Sequence, residues 1–314
     1  MNTELTLEWV LIGINGVAII SIVQIGKICL FKVISFFKMY QTVALAIAFS
    51  PRMEALISET KRLVQLFGSE LILIHIGKKT DELETKLDEI ILKTGLDKLK
   101  TKLIWKEGKP VKMIIQACKE EKADLLVAGA LKREGFLTYY MGSVGRKIIR
   151  KAPCSVLTLI EPNVESTVFE KIVLNGTQLE ITPHVIEVGI NFSKQIKADQ
   201  VHILNEIKMY GLQMGTASED SEEEASQTRR QLVQNEVEYV ERILNKIDQG
   251  ELKINIKVTG GRWAVELARF CEKIDADLLV VGDDHKLNFF DRIFPHDLED
   301  LLSTLPCNLL IVKI

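Results

Sequence analysis

The sequence predicts an α/β protein made of two similar units in tandem, each with a five-stranded, mainly parallel sheet flanked by helices. Short apolar runs alternate with amphipathic helical segments throughout residues 40–314. A shift of 153 residues aligns two stretches without gaps, so that "ADLLVAG" at 123–129 falls on "ADLLVVG" at 276–282. With 314 residues, of which 47% are apolar, the chain is long enough for two ordinary domains.

The first unit consists of four strand–helix pairs followed by a last strand. Its opening apolar run ends at Ser50-Pro51, and the next helix stops at Gly68. Thr80 is a good N-cap for the second helix, and Pro110 lies near the start of the third. Strands that are apolar throughout favour a parallel sheet covered on both faces. The predicted strands are 42–49, 70–76, 100–108, 123–130 and 154–160, and the predicted helices are 52–68, 80–95, 109–122 and 142–152.

The second unit keeps the same order of elements. An acidic, Gly/Ser-rich insertion at 211–227 interrupts it, and its composition is typical of a solvated loop that leads into a helix. A regulatory or phosphorylated loop is the alternative interpretation. The predicted strands are 171–176, 198–205, 251–260, 276–282 and 307–314, and the predicted helices are 182–197, 222–247, 262–274 and 295–305.

The five cysteines and the net charge limit the class of protein. Four cysteines pair off under the 153-residue shift, Cys118 with Cys271 and Cys154 with Cys307, which favours core positions. The odd total and the lack of a CxxC pair favour a reducing compartment over a disulfide framework. A formal net charge of −3 gives no indication of nucleic-acid binding.

Residues 1–38 form a separate apolar segment. The stretch 9–26 is long enough to span a bilayer, with glutamates before it and lysines after it. One interpretation is an anchor that leaves the rest of the chain on the cytoplasmic side. The other is an extension that precedes a true start at Met39.

The stretch "GKPVKMIIQACKEEKADLLVAGALKREGFLTYYMGSVGRKIIRKAPCSVLTLI" (108–160) resembles the universal stress protein family. The resemblance implies two Rossmann-like or flavodoxin-like domains, at 39–162 and 168–314. Family members pair through their last strands, so "CSVLTLI" and "CNLLIVKI" are expected to join the repeats as an internal pseudo-dimer.

Members of this family that bind ATP carry the pattern G-x2-G-x9-G-[ST] after the fourth strand. In the first repeat Gly129 matches the first glycine, and Gly142-Ser143 matches the last pair, but Lys132 replaces the middle glycine. The Asp that such members carry after the first strand is Ala48 here. The resemblance therefore implies a damaged ATP motif in this repeat.

The same loop has two physical interpretations. Gly142 and a capping Ser143 would leave free N–H groups for an anion at a helix N-terminus, and Lys132 would add an ammonium. The candidate nucleotide or anion site is then Gly129, Lys132, Gly142, Ser143 and Val144. The alternative is a well-capped helix with a solvated basic face that includes Arg146 and Arg150.

The second repeat has lost more of the motif. Gly282 remains, but His285 replaces the middle glycine and Pro295-His296 replaces the Gly-Ser pair, so no ATP is expected. The polar residues His285, Asp291, His296 and Asp297 make partner contact the functional interpretation here. A metal site is a weaker alternative, and no metal is predicted.

The leading hypothesis is a non-enzymatic stress-response or regulatory protein that binds a protein partner or a small ligand, without catalytic residues. The first alternative is an adenine-nucleotide sensor that binds ATP in the first domain alone, with at most slow hydrolysis. The second is a cytosolic regulatory module of a membrane assembly. The expected location is the cytoplasm, with tethering to the inner face of the membrane if residues 9–26 form an anchor. A homo-oligomer is compatible with all three hypotheses.

Overall fold

The computed structural model divides the chain into two compact units, Met1–Met39 and Tyr40–Ile314. It describes residues 7–12, 18–25, 28–35, 39–132, 139–165, 169–207, 222–283 and 295–314. Below, the first repeat means the described residues of 40–165, and the second repeat means those of 169–314.

The N-terminal unit is a three-stranded antiparallel sheet in the order β1-β2-β3. The stretch 9–26 is long enough to span a bilayer as one helix, but its described residues belong to two of these strands, 9–12 to β1 and 18–25 to β2. Their many Ile and Val residues favour strands over a helix because branched side chains suit the pleated backbone. Among the described residues, no helix is both long and apolar enough to cross a membrane. The strands are β1 (Leu7–Ile12), β2 (Ala18–Ile25) and β3 (Ile28–Ser35).

The first repeat contains the predicted strands and helices together with a short hairpin that the sequence did not predict. The hairpin, β8–β9, lies inside the motif loop. The elements are β4 (Thr42–Ile47), α1 (Met53–Phe67), β5 (Glu70–Ile76), α2 (Asp81–Thr94), β6 (Thr101–Lys106), α3 (Pro110–Glu120), β7 (Leu125–Gly129), β8 (Leu131–Lys132), β9 (Tyr139–Tyr140), α4 (Ser143–Lys151) and β10 (Ser155–Leu159).

The second repeat follows the same order, without a hairpin among its described residues. The elements are β11 (Lys171–Asn175), α5 (Thr182–Ile196), β12 (Gln200–Ile207), α6 (Glu222–Leu244), β13 (Lys253–Gly260), α7 (Trp263–Ile274), β14 (Leu278–Gly282), α8 (Pro295–Ser303) and β15 (Asn308–Val312).

The two repeats share one ten-stranded sheet in the order β13-β12-β11-β14-β15-β10-β7-β4-β5-β6. Neighbouring strands are parallel within each repeat, as predicted. At the centre, β10 pairs antiparallel with β15, so that Val156 lies opposite Ile311 and Leu157 opposite Leu310. All five residues of β10 are buried because helices cover both faces of the sheet.

The four matched cysteines are free thiols and are buried, which confirms their prediction as core residues. A hydrogen bond with the Cys118 thiol, together with burial, raises the pKa of Cys154. Cys271 and burial have the same effect on the pKa of Cys307. At neutral pH Cys154 and Cys307 therefore stay protonated and weakly nucleophilic.

A buried lysine crosses from the second repeat to the first. Lys313, just after β15, is 9% exposed, and its Nζ donates to the carbonyl oxygens of Ile149 and Ala152, the latter at 3.2 Å. Its Nζ also lies 3.4 Å from Oδ2 of Asp283. Burial lowers the pKa of Lys313, while Asp283 opposes that shift. The ammonium thus satisfies carbonyls at the C-terminus of α4, where a cation is favoured.

We expect Lys313→Met to reduce the free energy of unfolding by about 2–4 kcal/mol, because it leaves buried carbonyls without this donor and removes the ammonium that lies 3.4 Å from Asp283. Urea titration followed by circular dichroism measures this loss. Lys98→Met, at an exposed site, is the matched control and should change stability by less than about 0.5 kcal/mol. Equal stability of Lys313→Met and wild type would contradict the role given to this lysine.

Candidate functional site

The loop after β7 folds back on itself as a hairpin. Leu131 pairs with Tyr140, and Lys132 pairs with Tyr139, while the tip at 133–138 lies outside the described residues. Nζ of Lys132 lies 5.4 Å from the centroid of the Tyr139 ring, within the range of a cation–π contact. The lysine that replaces the middle glycine of the motif is therefore part of a strand and next to an aromatic ring.

The hairpin is hydrogen-bonded to the second repeat. Met141 donates its backbone N–H to the carbonyl of Leu302 at 2.8 Å, and Leu305 donates to the carbonyl of Tyr139 at 2.9 Å. Tyr139 and Leu305 also form an isolated antiparallel bridge. The segment that resembles a phosphate loop therefore connects the two repeats at the C-terminal end of α8.

Arg52, at the start of α1, bonds to residues that follow β7 and β10, next to the point between β4 and β7 where the strand order of the first repeat reverses. Its guanidinium donates to the carbonyls of Ala130 at 2.7 Å and Ile160 at 3.1 Å. Its Cζ lies 5.9 Å from the centroid of the Tyr139 ring, and the Tyr139 hydroxyl donates to Glu161. Ligands of open α/β sheets bind at such a reversal of strand order. Arg52 was not predicted from the sequence, because one arginine at a helix start carries no recognisable pattern.

The N-terminus of α4 differs in one detail from the prediction. Gly142, not Ser143, is the N-cap residue, and no side chain caps the helix. Ser143 is the first helical residue, where its hydroxyl is poorly placed to accept from the second or third amide. Ser143 is exposed, and Val144 is 45% exposed. The first turn of the helix is therefore accessible to solvent.

An apolar side chain lies against this helix start. A Cβ built on Gly142 would come within 2.7 Å of Cδ1 of Leu131. A larger residue at 142 would require the end of the half-exposed Leu131 side chain to move aside. Close approach of a phosphate to the backbone at Gly142 would have to compete with this side chain for the same space.

Two of the cations on α4 are paired across the repeats. Arg146 donates from Nη1 to Oε2 of Glu299 at 2.7 Å and from Nε to the Met141 carbonyl at 2.8 Å, and Arg150 also bonds to Glu299. Partial burial raises the pKa of Glu299, but the bonds from Arg150 and Arg146 outweigh it, and the net pKa lies below the ordinary value. Arg146 and Arg150, which the sequence offered as positive charges for a bound anion, are therefore neutralised in part by Glu299 of the second repeat.

An aromatic cluster lies at the ends of β4, β5 and β6. The centroid of the Phe49 ring lies 4.9 Å from that of His75 and 5.9 Å from that of Trp105. Nε1 of Trp105 donates to the carbonyl of Gly77 at 2.9 Å. Next to the cluster, the exposed Ala48 occupies the position of the family's Asp. The cluster gives this edge an apolar aromatic surface without a carboxylate from that position.

The corresponding site of the second repeat is only partly described. Gly282 ends β14, and a Cβ there would come within 2.7 Å of Ile181 and Val185. The candidate partner contacts His285 and Asp291 lie outside the described residues. The backbones of His296 and Asp297 lie in the first turn of α8, and their side chains are not among the parts of the chain that the structure describes.

Comparisons with known proteins agree with the fold and the motif. The profile of the universal stress protein family matches residues 77–159 and 176–313. The chain belongs to this family. A universal stress protein of Thermus aquaticus is 26% identical over 136 residues, 38% of this chain and 98% of that protein. One from Methanocaldococcus jannaschii is 30% identical over 96 residues, 31% of this chain and 55% of that protein.

Solved structures show the same tandem fold. A functionally unknown protein from Pseudomonas aeruginosa PAO1 superposes with a TM-score of 0.67 at 15% identity, covering 88% of this chain and 93% of that one. A universal stress protein from Archaeoglobus fulgidus gives a TM-score of 0.59 at 16% identity, covering 87% and 98%. These similarities establish the architecture of the two repeats.

We expect Glu299→Gln to reduce the free energy of unfolding by about 1 kcal/mol at pH 7, since the carboxylate is partly exposed and accepts from two arginines. Because the folded pKa lies below the ordinary value of about 4.3, the carboxylate stabilises the fold above that value and loses this effect as the pH falls through the folded pKa. The stability curves of variant and wild type should therefore converge in acid.

Urea titrations at several pH values measure this convergence. Glu89→Gln, at an exposed position on α2, is the control and should follow wild type at every pH. A difference between Glu299→Gln and wild type that stays constant down to about pH 3 would contradict the role of this carboxylate.

Proposed function

We propose that this chain is a non-enzymatic regulatory protein of the universal stress protein type, which acts in the cytoplasm by binding a protein partner or a small ligand. Membership of the family supports the stress-related class. The buried free thiols agree with a reducing compartment. The observation that carries the proposal is the use of the motif loop as an internal connection.

In this proposal the residues at the reversal of strand order between β4 and β7 stabilise the fold and do not hold a nucleotide. Arg52 is bonded to the carbonyls of Ala130 and Ile160, and Leu131 covers Gly142. A triphosphate would have to displace the Leu131 side chain from the start of α4 and compete with Glu299 for Arg146. Each displacement has a cost that ATP binding would have to exceed.

The two repeats act in this proposal as an internal dimer. The antiparallel pairing of β10 with β15 supports this, because the last strand of each repeat would otherwise be an open edge. Further copies of the chain would then associate through other surfaces. The role of the loop that contains Gly129 and Lys132 is to hold the repeats in register.

The second candidate is an adenine-nucleotide sensor that uses the first repeat alone. One observation favours it: the first turn of α4 has no side-chain cap, and Ser143 and Val144 are exposed. Free N–H groups at a helix start attract phosphate. ATP would then contact Gly129, Gly142, Ser143 and Val144, with Lys132 beside it and at most slow hydrolysis.

Isothermal titration of the full chain with ATP and Mg²⁺ decides between these candidates. We expect no binding heat up to about 1 mM ATP, because the Leu131 side chain lies against the start of α4 and Ala48 lacks the carboxylate that ATP-binding members of the family carry. A triple variant, Ala48→Asp with Leu131→Gly and Lys132→Gly, restores the acid and opens the loop. It should bind measurably more tightly than wild type.

A wild-type dissociation constant below about 100 µM would overturn the first candidate. In that case Ser143→Asp, which places a carboxylate where the phosphate would lie, should abolish the binding and so locate it at α4. Asn245→Asp, at an exposed position in the second repeat, is the control for the added charge.

A further inference from the structure

A cleft of about 720 Å³ lies between α3 and α4 on the surface of the first repeat. Pro110, Val111 and Ile115 give its walls their mainly apolar character. Val111 and Ile115 are partly buried and pack against the core below. Clefts of about 300–1,000 Å³ with apolar walls are typical of sites for small organic ligands.

Five lysines surround the cleft, and all of them are exposed. None of these five lysines forms an ion pair with a carboxylate in the part of the chain that the structure describes. Nearby lysines behave differently: Lys106 pairs with Glu120 at 2.6 Å and Lys102 with Glu121 at 2.7 Å. The five are Lys109, Lys112, Lys119, Lys147 and Lys151, and "lysine cleft" below means the cleft that they surround.

The equivalent surface of the second repeat is neutralised within the protein. Under the 153-residue shift, Lys109 corresponds to Arg262 and Lys147 to Asp300. Nη2 of Arg262 bonds to Oδ2 of Asp300 at 2.9 Å. In the first repeat both positions are lysines, so the same place carries two positive charges that repel each other.

This arrangement leaves a local excess of positive charge. Lys147 and Lys151 are four residues apart on one helix, a spacing at which like charges destabilise. The single carboxylate of the cleft, Glu120, is already bonded to Lys106 and Gln116. An external anion would relieve the repulsion, and the long lysine stems would cover the apolar part of the same molecule.

We propose that the lysine cleft binds a small amphiphilic anion, such as a fatty acid. Its apolar body would lie on Val111 and Ile115, and its charged head would lie among the lysine ammonium groups. The described residues of the lining include five lysines and no arginine, so recognition by them uses point charges on flexible stems and does not select for a planar, bidentate head group. This site goes beyond the proposed function, because it lies on a surface different from the motif loop and does not depend on the outcome with ATP.

Titration of the full chain with laurate tests the proposal. We expect saturable binding with a dissociation constant of roughly 10 µM to 1 mM, weakened at high salt because exposed ammonium groups are screened. Monolaurin carries the same acyl chain on a neutral head, and acetate carries the head without the chain. Both should bind at least about tenfold more weakly than laurate.

Charge reversal locates the site. Lys112→Glu with Lys147→Glu should weaken laurate binding at least about tenfold, and the milder Lys112→Gln with Lys147→Gln should give an intermediate loss. Lys86→Glu with Lys98→Glu makes the same charge change at exposed positions outside the cleft and should leave binding within about twofold of wild type. Ile115→Asn removes the apolar contact while leaving all five lysines in place and should also weaken binding.

Two results would overturn the proposal. The first is equal binding of laurate by wild type and the Lys112→Glu, Lys147→Glu variant, which would show non-specific apolar association. The second is binding to vesicles of phosphatidylglycerol, dependent on Lys112 and Lys147, without any binding of free laurate. That outcome would identify the lysine cleft as a contact for an anionic membrane surface.

Discussion

The antiparallel pairing of β10 with β15 joins the two repeats into one sheet, and the other contacts between the repeats are arranged around it. Asn308 accepts from the N–H of Ile160 at 2.9 Å and donates to the carbonyl of Asp277 at 2.8 Å. Lys313 reaches the end of α4 from the other repeat. Because β10 and β15 pair with each other at this seam, neither repeat keeps an open edge there.

The pairing of β10 with β15 explains why the motif loop can connect the two repeats, although its sequence resembles a phosphate-binding loop. It brings α4 and α8 together, so Arg146 meets Glu299, which occupies the equivalent position under the 153-residue shift. The same approach lets the hairpin bond to the end of α8. Once these contacts stabilise the association of the repeats, Lys132 can be retained at a position where a phosphate loop needs glycine.

Much of the fold followed from the sequence, because strong periodicities determine it. The apolar strands, the matched cysteines and the loop between β7 and α4 were all predicted, and the parallel order within each repeat is confirmed. The hairpin, the Gly142 cap and Arg52 were not predicted. Their positions depend on tertiary contacts with Tyr139, Leu302 and the carbonyl of Ile160, which leave no periodic signal. The two strands that contain the described residues of 9–26 were not predicted, because an apolar run of that length also suits a helix.

The lysine cleft illustrates the same limit. The sequence showed lysines on the third and fourth helices, but it did not show which of them form ion pairs, because that depends on the three-dimensional arrangement. The structure gives Lys106 a carboxylate partner and gives Lys112 none among the described residues. Asp300 of the second repeat occupies the position of Lys147 in the first. The structure shows that Asp300 neutralises Arg262, whereas Lys147 adds a positive charge at the equivalent place.

The most direct test of this account is hydrogen exchange of the backbone amides of β10 and β15, measured by mass spectrometry across a series of low urea concentrations. If the two repeats are one cooperative unit, peptides covering 155–159 and 308–312 should exchange with the same free energy and the same dependence on urea. If one strand exchanges through a lower-energy opening while the other stays protected, the repeats separate or unfold independently, and the central pairing does not hold the structure together.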